Sequence, residues 1–206
     1  IEENIYYFRV AYVCEPPTGN PIISAYSNIA STKIAAYSDA SSWAKTEIDE
    51  ADKNGLIPDS LRGADMTKPI TREEFAELAV KLYEKTTSKI ALEASPNPFT
   101  DSKNPEILKA YKLGITTGTS ATTFTPKEHI NREQVASMLS RSIRTMVPGT
   151  DFSTAGAPTF ADQKNISSWA LEHAKYMSKL EIIKGTDGKF MPKAVTTAEI
   201  ASGYAN

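Results

Sequence analysis

The feature that most constrains the fold of this chain is a motif that occurs three times along its 206 residues. The clearest copy is PITREEFAELA, from Pro69 to Ala79. Weaker copies are HINREQVASML, from His129 to Leu139, and AVTTAEIASGY, from Ala194 to Tyr204. A sequence that repeats itself at intervals of this size predicts similar structural units that bury a shared core.

The residue spacing inside the motif predicts the start of an α-helix. Thr71 and Glu74 lie three residues apart, which is the spacing of a capping box, where each side chain bonds the backbone of the other residue. The same spacing recurs at Asn131 and Gln134 and at Thr196 and Glu199. Apolar residues then follow at helical spacing: Phe75, Leu78, Ala79 and Leu82 in the first copy, and Val135, Met138, Leu139 and Ile143 in the second. We therefore expect three capped, amphipathic helices.

A second set of markers precedes each motif and predicts another helix per repeat. An aromatic residue stands two places before an aspartate at Asp39, Asp101 and Asp162, which recur about 60 residues apart. The string SSWA opens two of the helical stretches and contains Trp43 and Trp169. Each stretch ends at a short stop, in GLIP, in GITTG (Gly114 to Gly118) and in IIKG (ending at Gly185). Glycine suits such stops because it adopts left-handed backbone conformations.

Residues 1–34 differ in composition from the rest of the chain, and this composition predicts β-structure. The strings IYYFRVAYV and IISAYSNIAS are rich in aromatic and β-branched residues, and CEPPTGNP between them has the composition of a turn. We expect a β-hairpin. This segment resembles the last two strands of a fibronectin type III module, which implies a partial β-sandwich.

Composition and charge exclude several classes of function. The formal net charge is −2, so we expect no general attraction to nucleic acid or to anionic lipid. No apolar run approaches the roughly 18 residues of a spanning helix, so we expect no membrane insertion. Cys14 is the single cysteine and the two histidines lie far apart, so we expect neither a metal site nor a cofactor. Because the chain begins at Ile1 without a starting Met, we expect it to be a piece of a longer protein.

Capping does not require the arginines that follow Thr71 and Asn131. Arg72 and Arg132 fall at the first helical position, where the helix start has unpaired N–H groups and partial positive charge. A guanidinium beside it adds a planar fork that suits a carboxylate or a phosphate, which predicts a small anion site. The alternative is that both arginines are solvated charges or pair with a nearby acid. The third copy has Thr197 at this position, so we expect its site to be weak or absent.

These markers together resemble the S-layer homology repeats of Gram-positive surface proteins. The resemblance implies three repeats, at 36–88, 96–147 and 158–206, the last truncated at the end of the chain. It implies an all-α fold in which a pseudo-threefold trimer of repeats forms a three-pronged spindle, with grooves between neighbouring repeats. It also implies a noncatalytic, extracellular domain that anchors a protein to the cell wall.

The resemblance further implies a ligand: a secondary cell-wall polysaccharide, attached to peptidoglycan, whose terminal sugar carries a ketal-linked pyruvate. The motif arginines would hold that acid, and self-association in a surface layer is a further expectation. The other candidate ligand-binding residues are Trp43, Trp169, Thr71, Asn131, Gly114, Gly118, Gly185, Asp39, Asp101 and Asp162. Each tryptophan either stacks on a sugar or plugs the core, and the aspartates suit loop bracing better than catalysis. A helical scaffold that binds a protein partner is the alternative function.

Overall fold

A computed structural model of the chain describes residues 36–204 and four strands in the segment before them. The chain divides into two compact units, Ile1–Ala35 and Ala36–Asn206. In the first unit, β1 (Ile5–Phe8) pairs antiparallel with β4 (Ala30–Lys33), and β2 (Val13–Cys14) pairs antiparallel with β3 (Ile22–Ile23). Antiparallel pairing is thus confirmed for these strands. Apart from Cys14, the predicted turn CEPPTGNP lies outside the described residues.

The second unit is mostly helical, and the all-α prediction is wrong only where two short strands pair. Its elements in chain order are β5 (Tyr37–Asp39), α1 (Lys45–Lys53), β6 (Ala64–Asp65), α2 (Arg72–Thr87), α3 (Pro105–Lys112), α4 (Arg132–Met146), α5 (Leu171–Lys179) and α6 (Ala198–Gly203). Strands β5 and β6 pair parallel. Short 3₁₀ turns at Asp59–Leu61 and Gln163–Asn165 lie in the connections.

Two of the three motif helices begin with the predicted capping box. The Glu74 amide donates to Thr71 Oγ1 at 3.3 Å, and the Thr71 amide donates to Glu74 Oε2 at 2.7 Å. Asn131 and Gln134 repeat this exchange at 3.1 Å and 3.0 Å. Because each exchange satisfies two amides that a helix start leaves unpaired, the beginnings of α2 and α4 are fixed by local sequence.

The third motif helix begins one residue later than the sequence predicts. Thr197, rather than Thr196, is the N-cap of α6, and its side chain makes no capping bond. The expected box between Thr196 and Glu199 is therefore wrong. The reason lies in long-range pairing: the Thr196 amide donates to the Ile130 carbonyl at 3.1 Å, which sets the register of the segment. Ala198 consequently occupies the arginine position of the motif.

The segments just before the three motif helices form a closed cycle of backbone hydrogen bonds. The Ile70 amide donates to the Thr196 carbonyl at 3.0 Å, Thr196 donates to Ile130 at 3.1 Å, and Ile130 donates to Ile70 at 3.1 Å. All three residues are buried. Since each segment is both donor and acceptor, none of the three helix starts can shift without breaking bonds to the other two.

Helix packing follows the same order. Each motif helix packs on the first helix of the repeat that comes next in the cycle: α2 on α3, α4 on α5, and α6 on α1, while α2 also contacts α4. The described apolar core is one connected cluster that includes Phe75, Phe124 and Phe190, all fully buried. The inward faces of α1 and α5 join this core, and Ile48 and Met177 on them are completely buried.

The two kinds of helix start predict different costs for the same substitution. Thr71→Ala removes a capping bond and should lower the free energy of unfolding by about 0.5–2 kcal/mol. Thr197→Ala is the matched control, because the Thr197 hydroxyl is buried without a hydrogen-bond partner among the described residues. We expect this variant to match or exceed wild-type stability. Urea melts followed by circular dichroism measure both, and equal losses would contradict the assignment.

Candidate anion-binding cleft

The second unit contains a cleft of about 320 Å³ to which all three repeats contribute. Arg72 comes from the start of α2, the run Thr116–Thr119 comes from the loop after α3, and Trp169 precedes α5. Its remaining lining residues lie on α4: Gln134, Ser137, Met138 and Arg141. The cleft therefore depends on the assembled repeats and belongs to no single one.

Arg72 is a buried cation in the wall of this cleft, with only 4% of its surface exposed. Its Nε donates to the Phe124 carbonyl at 2.9 Å, and its guanidinium carbon lies 4.7 Å from the centre of the Phe124 ring. Burial lowers the pKa of Arg72, which still leaves an arginine charged at neutral pH. Among the described residues no carboxylate lies within ion-pair distance of Arg72, although the Asp101 charge acts on it. Burial shows that Arg72 is not a solvated charge.

Asp101 fixes the backbone at Phe124, the residue that Arg72 contacts. Its carboxylate accepts from the Phe124 amide at 2.9 Å and from the Thr125 amide at 2.7 Å. The Phe124 hydrogen bond lowers the pKa of Asp101, and the Thr125 bond and the Arg72 charge lower it further. Asp101 is exposed, and its carboxylate braces the loop through these two backbone amides.

A similar arrangement surrounds the second motif arginine. The Arg132 guanidinium carbon lies 5.7 Å from the centre of the Phe190 ring. Asp162 accepts from the amides of Phe190 and Met191 at 2.8 Å each, as Asp101 does in the first arrangement. However, Arg132 Nε is buried without a hydrogen-bond partner among the described residues. The second guanidinium is therefore held by fewer contacts than the first.

The helix starts themselves have no free amides to offer an anion. The Arg72 amide donates to the Glu128 carbonyl at 2.9 Å, and the Glu73 amide donates to Pro126 at 3.1 Å. In the same way, carbonyl groups in the loop before the next motif of the cycle accept from the Arg132 amide and from the Ala198 amide. The expectation that unpaired amides add to the site is wrong, because neighbouring repeats already pair them. The guanidinium remains as the anion-binding group.

The two tryptophans face solvent. Trp43 is 57% exposed and Trp169 is 51% exposed, so the interpretation of these rings as core plugs is wrong. A buried glutamate fixes the turn before each ring. Glu133 accepts from the amide and the hydroxyl of Ser167 at 2.9 Å each, and Glu199 accepts from Ser41 at 2.9 Å and 3.0 Å. Only Trp169 lines the described cleft.

The other predicted residues fall into separate places. Thr71 and Asn131 use their side chains in capping boxes. Gly118 lines the cleft, whereas Gly114 ends α3 with its amide bonded to the Tyr111 carbonyl at 2.9 Å. Gly185 lies in the loop after α5, and Asp39 lies in β5, where its side chain accepts from the Ala40 amide at 2.8 Å. None of these except Gly118 joins Arg72 in the cleft.

Sequence reasoning missed the polar residues of α4. Gln134, Ser137 and Arg141 recur at spacings of three and four, which places them on one helical face. This spacing can be read from the sequence, but the apolar residues of the same helix give the stronger pattern. Their role as a cleft wall becomes evident only from the structure, where they line the same cleft as Arg72 and Trp169.

Two absences complete the description of the site. In the described part of the chain, no group of three or more His, Cys, Asp or Glu side chains could hold a metal ion. No described helix is long and apolar enough to cross a membrane.

Two segments of the chain match a known family: residues 98–136 and 159–197 each match the S-layer homology domain. Domains of this family are noncatalytic modules that anchor proteins to the cell surface. The first repeat lies outside the matched residues.

The chain is also similar to parts of large enzymes. It is 31% identical over 188 residues to an endoglucanase of Bacillus sp. (strain KSM-635), a match that covers 87% of this chain and 19% of the enzyme. It is 34% identical to the exoglucanase XynX of Acetivibrio thermocellus over 66% of this chain and 12% of that protein. An amylopullulanase of Thermoanaerobacterium thermosulfurigenes is 31% identical over 66% of this chain and 7% of its own length. The chain thus spans less than a fifth of these relatives.

Gly118 should tolerate substitution less well than Gly114, although both have a positive φ, +81° and +75°. A Cβ at Gly118 would lie 2.6 Å from both Phe99 Cε1 and the Thr123 carbonyl, whereas one at Gly114 meets nothing within 4 Å. Gly118→Ala should cost at least about 2 kcal/mol, and Gly114→Ala about 1 kcal/mol. Thermal melts compare them, and an equal or reversed order would contradict the geometry of the loop.

His173, whose Nδ1 lies 3.0 Å from the Ser140 hydroxyl of α4, predicts a pH dependence of stability. Burial, together with the charges of Arg141 and Arg144, lowers the pKa of His173 to about 4. The unfolded chain takes up this proton near pH 6.5, whereas the folded chain resists it. Stability should therefore be complete above about pH 6.5 and decrease as the pH falls toward 4.

Urea melts across this range test the prediction about His173. His173→Gln should flatten the decrease, because the variant has no proton to take up on unfolding at this position. His129→Gln, at an exposed position, is the control and should retain it. A wild-type profile that is unchanged in His173→Gln would contradict the assignment.

Proposed function

We propose that residues 36–206 form a wall-attachment domain of three S-layer homology repeats in a pseudo-threefold arrangement. The domain binds acidic groups of a secondary cell-wall polysaccharide, of which a ketal-linked pyruvate is the expected form, on the outside of a Gram-positive bacterium. The domain itself has no catalytic role. The two matched family segments and the cyclic bonding between the three helix starts support this proposal.

The observation that carries the proposal is the buried guanidinium of Arg72 in an open cleft, with no carboxylate of the described residues in direct ion-pair contact. Burying a cation without an acidic partner costs free energy, and an incoming carboxylate recovers part of it through charge-assisted hydrogen bonds. The contacts with Phe124 occupy Nε and one face of the guanidinium, so a ligand would approach the terminal nitrogens. A planar carboxylate matches that fork.

The other walls of the cleft suit a sugar. Trp169 is half exposed beside Arg72 and offers an aromatic face on which the C–H groups of a pyranose can pack. Gly118 and the threonines next to it form a polar wall without bulky side chains. A cleft with one fixed cation, one aromatic face and several hydroxyl groups favours an acidic carbohydrate over an apolar protein segment.

The three grooves would differ in strength. The Arg72 groove would be the strongest because Phe124 fixes its guanidinium, and the Arg132 groove would be weaker. The third has Ala198 in place of an arginine and would bind acidic sugars poorly. Two modest sites on one polymer raise the effective concentration of each other, as would several copies of the protein in a surface layer.

The similarity to an endoglucanase, an exoglucanase and an amylopullulanase suggests the setting of this domain. We propose that it belongs to a longer surface protein, such as a polysaccharide-degrading enzyme, whose catalytic part lies outside these residues. On this view the domain holds the enzyme at the cell wall.

A wall pull-down tests the proposal. Purified Gram-positive cell walls, before and after hydrofluoric acid extraction of the secondary polymer, are incubated with wild type, Arg72→Gln, Arg132→Gln and the double variant. Arg72→Gln should weaken binding by at least about tenfold, since removing one partner of a buried charge pair costs more than about 1.4 kcal/mol. Arg132→Gln should have a smaller effect, and extraction of the polymer should abolish binding.

Two controls separate binding from folding in this assay. Lys112→Gln removes an exposed cation outside the cleft and should bind as wild type does. Circular dichroism melts identify any variant that fails to fold. Binding that survives both polymer extraction and the double substitution would overturn the proposal and favour the protein-binding scaffold.

A further inference from the structure

Apart from Arg72, two polar side chains of the cleft have no role in the proposed function. Ser137 and Arg141 lie one turn apart on α4 and both line the cleft. The starts of α2 and α4 are joined by the Ile130–Ile70 hydrogen bond, so Arg72 lies near the N-terminal end of α4. From Gln134 at that end, Arg141 lies two turns, or about 10 Å, further along the helix. A carboxylate seated on Arg72 therefore leaves the Arg141 end open.

The hydroxyl of Ser137 is buried and has no hydrogen-bond partner in the part of the chain that the structure describes. Ser137 is 3% exposed, and its Oγ makes no hydrogen bond with the described residues. By contrast, its neighbour Ser142 donates to the Met138 carbonyl at 2.9 Å, as serines on a helix commonly do. A buried hydroxyl without a partner costs free energy, so its presence in a cleft wall points to an acceptor that arrives with a ligand.

Arg141 also lacks an acidic partner. It is half-buried, and no described carboxylate lies within ion-pair distance of it. Near Arg141, the charges of Arg141 and Arg144 lower the pKa of His173 and the Glu172 charge opposes them, while the Glu172 carboxylate accepts from the Thr154 hydroxyl at 2.7 Å. This end of the cleft is therefore positive and partly dehydrated, which favours an anionic ligand group.

Resting on the proposed function, we propose that Ser137 and Arg141 form a second acid-binding subsite, so that the Arg72 cleft takes a glycan with two carboxylates. One carboxylate, on the pyruvylated sugar, binds at Arg72. The second, on an adjacent uronic acid, accepts from the Arg141 guanidinium and the Ser137 hydroxyl. Trp169 lies along the same cleft and packs against the sugars.

The subsite is specific to this cleft. In the register set by Ile70, Ile130 and Thr196, Glu77 on α2 and Gly203 on α6 stand where Ser137 stands on α4. Glu77 accepts hydrogen bonds from Ser60 and Asn104, so that position is acidic and occupied. Lys81 stands on α2 where Arg141 stands on α4 and provides a matched control.

Isothermal titration calorimetry with two synthetic disaccharides tests the subsite. Both carry a pyruvate-ketal hexosamine; one links it to glucuronic acid and the other to glucose, so they differ by one carboxylate. Wild type should bind the diacid at least about tenfold more tightly than the monoacid, a difference of 1.4 kcal/mol. Arg141→Gln should abolish this difference without changing affinity for the monoacid, whereas Lys81→Gln should preserve it.

Ser137→Ala separates a ligand role from a structural one. Because the hydroxyl has no partner in the free protein, its removal should leave the melting temperature unchanged or higher. The same variant should reduce the preference for the diacid at least threefold. A lower melting temperature with an unchanged preference would overturn the role given to Ser137.

The outcomes distinguish this subsite from the proposed function. Equal affinity of wild type for the two disaccharides, or a preference retained in Arg141→Gln, would overturn the subsite while Arg72 binding stands. If wild type binds neither disaccharide, or Arg72→Gln binds both as tightly as wild type does, the proposed function fails and the subsite fails with it.

Discussion

The structure depends on the cycle of hydrogen bonds that joins Ile70, Ile130 and Thr196. These bonds are few, but they are buried and each connects segments about 60 residues or more apart, so they fix how the repeats meet. The loop before each motif then fills the helix start of the preceding repeat. A single repeat could not satisfy its own helix N-terminus or bury its apolar face, which explains why the units occur together.

The cleft is a consequence of this assembly. Asp101 fixes the backbone at Phe124, the Phe124 carbonyl and ring fix Arg72, and Glu133 fixes the turn that presents Trp169. The second repeat supplies the Phe124 loop for an arginine of the first, and the third supplies the tryptophan. Arg72 can be buried without a direct ion pair among the described residues, because Phe124 contacts it, the Asp101 charge acts on it, and the cleft is open to solvent.

Local features could be predicted from the sequence, and long-range ones could not. Spacing alone identified the capping boxes of Thr71 and Asn131 because both partners lie within one turn. The same rule failed at Thr196, where pairing with Ile130 sets the register. The burial of Arg72 could not be predicted from the sequence, because its hydrogen-bond partner Phe124 is 52 residues away. Arg141 was missed for a different reason: its helical face is readable, but nothing in the sequence says what lies opposite.

A crystal structure of the domain with a pyruvate-ketal hexosamine tests the central claim most directly. The account predicts the sugar carboxylate at the Arg72 guanidinium, with oxygens about 2.7–2.9 Å from its terminal nitrogens, and the sugar ring beside Trp169. A sugar bound away from this cleft, or one whose carboxylate faces solvent with Arg72 uncontacted, would contradict it.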